Sequence, residues 1–81
     1  MTAVVRLHKD GKLLGFADLR VDGFELRGLR VLQGKEGPYV TFPTRKSSGG
    51  GFFEVVRPLT PKAREEAKTA VLRAYKRAAK A

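Results

Sequence analysis

RVLQGKEGPYVTFPTRK, residues Arg30 to Lys46, is the stretch that decides how this chain folds. Two short apolar runs, Leu29 to Leu32 and Tyr39 to Phe42, flank a six-residue segment holding Gly34, Gly37 and Pro38. That is the pattern of two strands joined by a turn-rich loop. Pro43 follows at once and lacks the amide that a ladder needs, so it ends a central strand or marks an edge. The chain then turns basic and loose through TRKSSGGG before a further apolar run begins at Phe52. A hydrophobic hairpin projecting a flexible, positively charged loop is the expectation.

Upstream, Val5 and Leu7 alternate with Val4, Arg6 and His8, the signature of a half-buried strand. Asp10-Gly11 then supplies a favoured two-residue hairpin turn, because its central positions need positive φ. In the returning strand Leu13, Gly15, Ala17, Leu19 and Val21 share one face, while Leu14 and Phe16 leave an apolar spot on the other, facing the helix or a second subunit. Asp22-Gly23 repeats the turn signal. The apolar register then slips from even positions, Phe24 and Leu26, to odd ones, Leu29 and Val31. With a strand period of two, such a slip reverses the faces unless an extra residue is accommodated, so a bulge or bend is expected at Gly28. Val40 and Phe42 share a face of the fourth strand, and Phe53 and Val55 a face of the fifth.

Pro58 ends the last strand, and Thr60-Pro61 opens a helix with a capping hydroxyl followed by proline at the first helical position. Ala63, Ala67, Ala70, Val71, Ala74 and Ala78 recur at spacings of three and four and form one apolar stripe, widened by Leu72 and Tyr75. The fold class is therefore α+β: an antiparallel β-meander of four to five strands, about residues 3–57, followed by one C-terminal α-helix, about residues 61–79, in a single domain spanning 1–81.

A chain of 81 residues buries only about 60% of the surface that its unfolded form exposes. It contains no cysteine for a disulfide or thiolate site, which makes self-association the natural supplement. No apolar run approaches the roughly 20 residues of a membrane span, and no leader pattern opens the chain; a cytoplasmic protein without membrane contact is expected. The net charge of +9 is uneven. Residues 1–42 carry seven Lys/Arg against five Asp/Glu, whereas residues 43–81 carry ten against three. Such a balance serves either attraction to a polyanion or simple solubility.

Chemistry for catalysis is sparse. His8 is the sole histidine, and Asp18, Asp22, Glu25 and Glu54 fall at strand or turn positions where a solvated face accounts for them. No enzyme activity, metal, cofactor or small-molecule substrate is expected. Ser47 to Gly51 is not a phosphate-binding Walker sequence, which needs Lys and Ser/Thr at a helix start. Its backbone amides beside Arg45 and Lys46 could still meet phosphate oxygens, or the segment could be a connector. On the helix, Arg73, Lys76, Arg77 and Lys80 suit either a track along a polyanion or a solvated face. Only one of Phe52 and Phe53 can face inward from a strand, which leaves the other free to stack on a base.

The ordered set Arg30, Val31, Gly34, Gly37, Tyr39, Val40, Pro43, Thr44, Arg45 and Lys46, continued by Phe53, Val56 and Pro58 and by Val71, Leu72 and Tyr75, resembles the stage V sporulation protein G (SpoVG) family of septation and sporulation regulators. Thr44 stands where that pattern has Ser, and the loop is Ser-Ser-Gly-Gly-Gly where the family often has a more polar turn. The resemblance implies a homodimeric regulator that binds DNA, and also RNA, with basic residues at this spot. The expected contacts are Arg45, Lys46, Ser47, Ser48 and Gly49 of the loop, with Arg73, Lys76, Arg77 and Lys80 of the helix. An adaptor of the division machinery, docking a partner strand on its apolar spot and sheet edge, is the alternative.

Overall fold

The computed structural model describes residues 1–80. Four strands, β1 (Thr2–Asp10), β2 (Leu13–Val21), β3 (Phe24–Gly34) and β4 (Gly37–Thr41), form an antiparallel sheet in the order β1-β2-β3-β4. Two short strands, β5 (Thr44–Lys46) and β6 (Phe52–Glu54), pair only with each other in a second small sheet. The helix α1 (Pro61–Lys80) lies across one face of the main sheet against β1, β2 and β4. The fold is α+β, with a meander of four strands. The chain's next extended segment leaves this sheet instead of adding a fifth strand to it.

Each turn has a local cause. Asp22 and Gly23 occupy the two central positions with φ of 47° and 83°, the paired positive values that a tight hairpin of this hand needs. The first turn falls one residue later than Asp10-Gly11 suggests: Asp10 pairs with Leu13, so Gly11 and Lys12 make the loop. The β3–β4 connection is also tighter than its six-residue segment implied. Gln33 pairs with Pro38 and Gly34 with Gly37, leaving only Lys35 and Glu36 between the strands. Pro38 is tolerated because β4 is the sheet's edge, where a missing amide costs no bond.

The register slip in β3 is resolved by a bulge. Ala17 pairs with Leu29 and Leu19 with Leu26, so Arg27 and Gly28 together oppose Asp18. Gly28 has φ of 89°, a conformation that costs a side-chain-bearing residue strain. One added residue restores the phase, and Leu26, Leu29 and Val31 all face the helix. A second irregularity, at Leu14 between the Leu13–Leu32 and Gly15–Val31 pairs, corrects another expectation. Leu14 packs against the core and does not share an exposed spot with Phe16. Phe16 instead neighbours His8 of β1, with ring centroids 5.8 Å apart.

The core is the seam between sheet and helix. Ala17, Leu19, Leu29, Val31, Val40 and Phe42 meet Ala67 and Val71, and no polar side chain is buried among the described residues. Small residues on the helix permit this close approach, as its alanine stripe implied. Thr60 caps the helix, its Oγ1 accepting from the Ala63 amide at 3.0 Å. Because Val71 is wholly buried at the centre of the seam, Val71→Asp should cost roughly 3 to 5 kcal/mol by leaving a charge without water or partner. Thermal or urea unfolding followed by circular dichroism measures this. An unchanged midpoint would mean that the stripe is not the core.

Candidate nucleic-acid interface

The basic segment after Pro43 is built as a hairpin, which corrects the expectation of a slack loop. Arg45 and Lys46 lie in β5, opposite Phe53 and Phe52 respectively. Directly opposed residues of an antiparallel pair point to the same side, and successive residues to opposite sides. One side of the ribbon therefore presents Arg45 with Phe53, and the other Lys46 with Phe52. Neither ring is buried: Phe52 is 73% exposed and Phe53 48%. The expectation that one of them faces inward fails because the ribbon has left the main sheet and has no core beneath it.

The turn is held by its own backbone. The Ser47 amide donates to Gly51 O at 2.7 Å and the Gly50 amide to Ser47 O at 3.1 Å, and the ladder continues past β6 with Val55 N to Pro43 O at 2.9 Å. Ser48 and Gly49 form its exposed tip, and Ser47 is half-buried. At its root the ribbon is tied to the helix. Arg64 donates from both terminal nitrogens to the Glu54 carboxylate, at 3.2 and 2.9 Å, while its guanidinium carbon lies 5.1 Å from the centre of the Phe42 ring. This bidentate clamp was not legible from Arg64 and Glu54 ten positions apart in sequence. Its hydrogen bonds hold the Glu54 carboxyl below its ordinary value of 4.5 against an opposing effect of desolvation, and raise the Arg64 guanidinium.

Arg73, Lys76, Arg77 and Lys80 are all exposed. Their spacing of three and four places them along one stripe of α1, and Arg73 and Arg77 border a shallow groove with Thr2 and Ala3 of β1. The hairpin is anchored at the first turn of the same helix, through Arg64. At 1.5 Å per residue, Lys80 lies about 24 Å further along the axis. The hairpin's root and the helix stripe therefore lie about 14 to 24 Å apart along the axis of α1.

None of Arg45, Lys46, Arg73, Lys76, Arg77 or Lys80 has a carboxylate partner among the described residues, whereas Arg6, Arg20, Arg27 and Arg64 all do. These six cations, on the hairpin and on the far half of the helix, could meet a polyanion without displacing an internal ion pair. His8 is exposed on β1. Among the described residues no group of three His, Cys, Asp or Glu comes together in metal-binding geometry, and no helix is long and apolar enough to cross a membrane.

These features define a small α+β protein that displays an unpaired basic-aromatic ribbon beside a helix-covered antiparallel sheet. The family model for SpoVG matches residues 2–77, and the chain belongs to the SpoVG family. Relatives named as SpoVG septation proteins include one from Clostridium beijerinckii, 33% identical over 91% of this chain and 86% of its own length. Another, from Archaeoglobus fulgidus, is 35% identical over 88% of each chain. A third, from Treponema denticola, is 35% identical over 91% of this chain and 81% of its own. The name refers to septation and to no catalysed reaction.

The clamp has a pH signature. Glu54 titrates below its ordinary value of 4.5 in the folded protein, so its contribution is present above that pH and is lost as the pH falls through the lower folded value. Arg64→Ala should return the Glu54 pKa toward the ordinary value and speed amide exchange across residues 44–54, leaving exchange in β2 and β3 unchanged. Carboxyl titration and hydrogen exchange by NMR read both effects. Equal acceleration throughout the sheet would show that the clamp supports the whole fold and not the ribbon alone.

Proposed function

We propose that this protein is a nucleic-acid-binding regulator, acting in septation or sporulation-type gene control, that grips phosphates through the β5–β6 hairpin. One observation carries the reading: each side of the ribbon pairs an exposed, unpaired cation with an exposed aromatic ring. That combination suits a phosphate backbone and an adjoining base at once, and the net charge of +9 adds long-range attraction. The stripe Arg73, Lys76, Arg77 and Lys80 is a second, separate contact surface for a longer ligand. Ser47, Ser48 and Gly49 add backbone and hydroxyl donors at the hairpin tip.

A homodimer forms part of the proposal, since so small a core gains from association and two copies would present the hairpin twice. Light scattering at micromolar concentration should then give twice the mass of the chain, and a monomer at every concentration would remove this element. The near-complete exposure of Leu59, 90%, and of Phe24, 74%, favours the second reading of a protein-interaction adaptor without nucleic-acid contact.

Salt-dependent binding separates the two. Each phosphate contact contributes roughly 0.9 to the slope of log affinity against log salt on duplex DNA. Arg45→Ala with Lys46→Ala should therefore flatten the slope by about 1.8 per chain, or about 3.6 for a dimer, with the unfolding midpoint unchanged because both residues are outside the core. Anisotropy titrations of labelled duplex DNA and RNA at several salt concentrations make the measurement. Parental affinity and slope in the double variant would remove the hairpin from the interface, and absence of binding by the parent would favour the adaptor.

A further inference from the structure

The face of the main sheet opposite the helix is uncovered in the chain. Across it runs a transverse row of directly paired residues, Arg6–Phe16–Arg30–Thr41, one from each strand. Their neighbours in sequence, Ala17, Leu29, Val31 and Val40, are buried on the other face, which fixes this row on the open one. An aromatic ring thus sits between two arginines, with the His8 ring 5.8 Å from it.

Of the arginines on this face, all but Arg30 are already engaged. Arg6 holds Asp18 at 2.6 Å, and Arg20 and Arg27 share Glu25 at 3.2 and 2.8 Å. Both carboxylates are drawn below their ordinary values, chiefly by the hydrogen bonds from these arginines. Arg30 has no acidic partner among the described residues. It borders a cleft of about 280 Å³ that Gly28, Thr41, Phe42, Pro43 and Thr44 complete. The cleft exists because the bulge at Gly28 and the departure of the chain at Pro43 end the β3–β4 pairing at Arg30 and Thr41. Thr44 is the first residue of the hairpin, so the cleft opens at the hairpin's root and leads to the Phe16 row.

We propose that the Arg30 cleft is a phosphate subsite and Phe16 a base-stacking platform, which together carry a single-stranded nucleic acid from the β5–β6 hairpin across the open face of the sheet. The inference rests on the nucleic-acid reading above and adds the strandedness of the ligand. A guanidinium with two threonine hydroxyls offers the fork and the donors that a phosphodiester oxygen accepts, and Arg30 has no internal ion pair to surrender. A ring on an open sheet can stack only on a base released from its own neighbours, which a duplex does not provide. The row would therefore discriminate for single strands, whereas the hairpin cations meet phosphates of either form.

The test uses labelled oligo(dT) and oligo(U) of 12 nucleotides and a 12-base-pair DNA duplex as probes. Arg30→Ala should weaken single-strand binding about tenfold and lower its salt slope by about 0.7. Phe16→Leu should weaken it about fivefold or more while leaving duplex affinity at the parental value. Arg20→Ala, on the same face but paired with Glu25, should change neither. Thermal melts establish that each variant is folded, and Phe16→Tyr, which keeps an aromatic face, should restore binding if Leu loses it. Parental single-strand affinity in both Arg30→Ala and Phe16→Leu, beside loss in the Arg45 and Lys46 double variant, would overturn this inference and leave the hairpin reading standing. Failure of the parent to bind any of the probes would overturn both. A Phe16→Leu protein that binds normally but changes mass by light scattering would assign the open face to a second copy of the chain, and this too would overturn the proposal.

Discussion

One extra residue in β3 holds the architecture together. A strand presents alternate residues to alternate faces, and β3 must supply Leu26 before the bulge and Leu29 and Val31 after it to a single core. Without Gly28 in its left-handed conformation, one of these sets would face water, and a domain with so little to bury could not absorb the loss. The helix docks on the surface that this correction makes continuous. Leu19, Leu29, Val31 and Val71 are its largest fully buried side chains, and they draw on two strands and the helix at once.

The same constraint shapes the functional surface. Where β3 bulges, β4 cannot follow, so pairing between them stops at Arg30 and Thr41. Pro43, without an amide, confirms the break. The chain is then free to form its own ribbon, which the Arg64–Glu54 clamp orients against the start of the helix. Phe52 and Phe53, which a longer meander would have set against a core, are instead displayed on the ribbon beside Arg45 and Lys46. Fold and candidate interface are in this sense consequences of one interruption in one ladder.

Electrostatics sorts the cations into two populations. Those on the open sheet face are largely neutralised in place by Asp18 and Glu25, and these pairs set which arginines remain available. Those on the hairpin, on the last turns of the helix and at Arg30 are unpaired among the described residues, as are Arg57 and the remaining lysines. The uneven charge along the sequence locates the first two groups. Arg30 lies in the half of the chain with nearly balanced charge, so composition gave no reason to single it out.

Local chemistry was legible without the fold: the Asp22-Gly23 turn, the bulge at Gly28, the Thr60-Pro61 start of the helix and the alanine stripe all follow from constraints within a few residues. The boundaries of the first and third turns were misplaced, because cross-strand pairing decides how far a hairpin zips and that pairing is not local. Tertiary structure alone decided that the last strand pair would leave the sheet, that Leu14 would turn to the core while Phe16 stayed outside, and that Arg64 would clamp Glu54 and so tie the root of the hairpin to the first turn of the helix. Each depends on contacts between residues distant in sequence. Periodicity specifies which residues share a face, but only packing decides which face is covered.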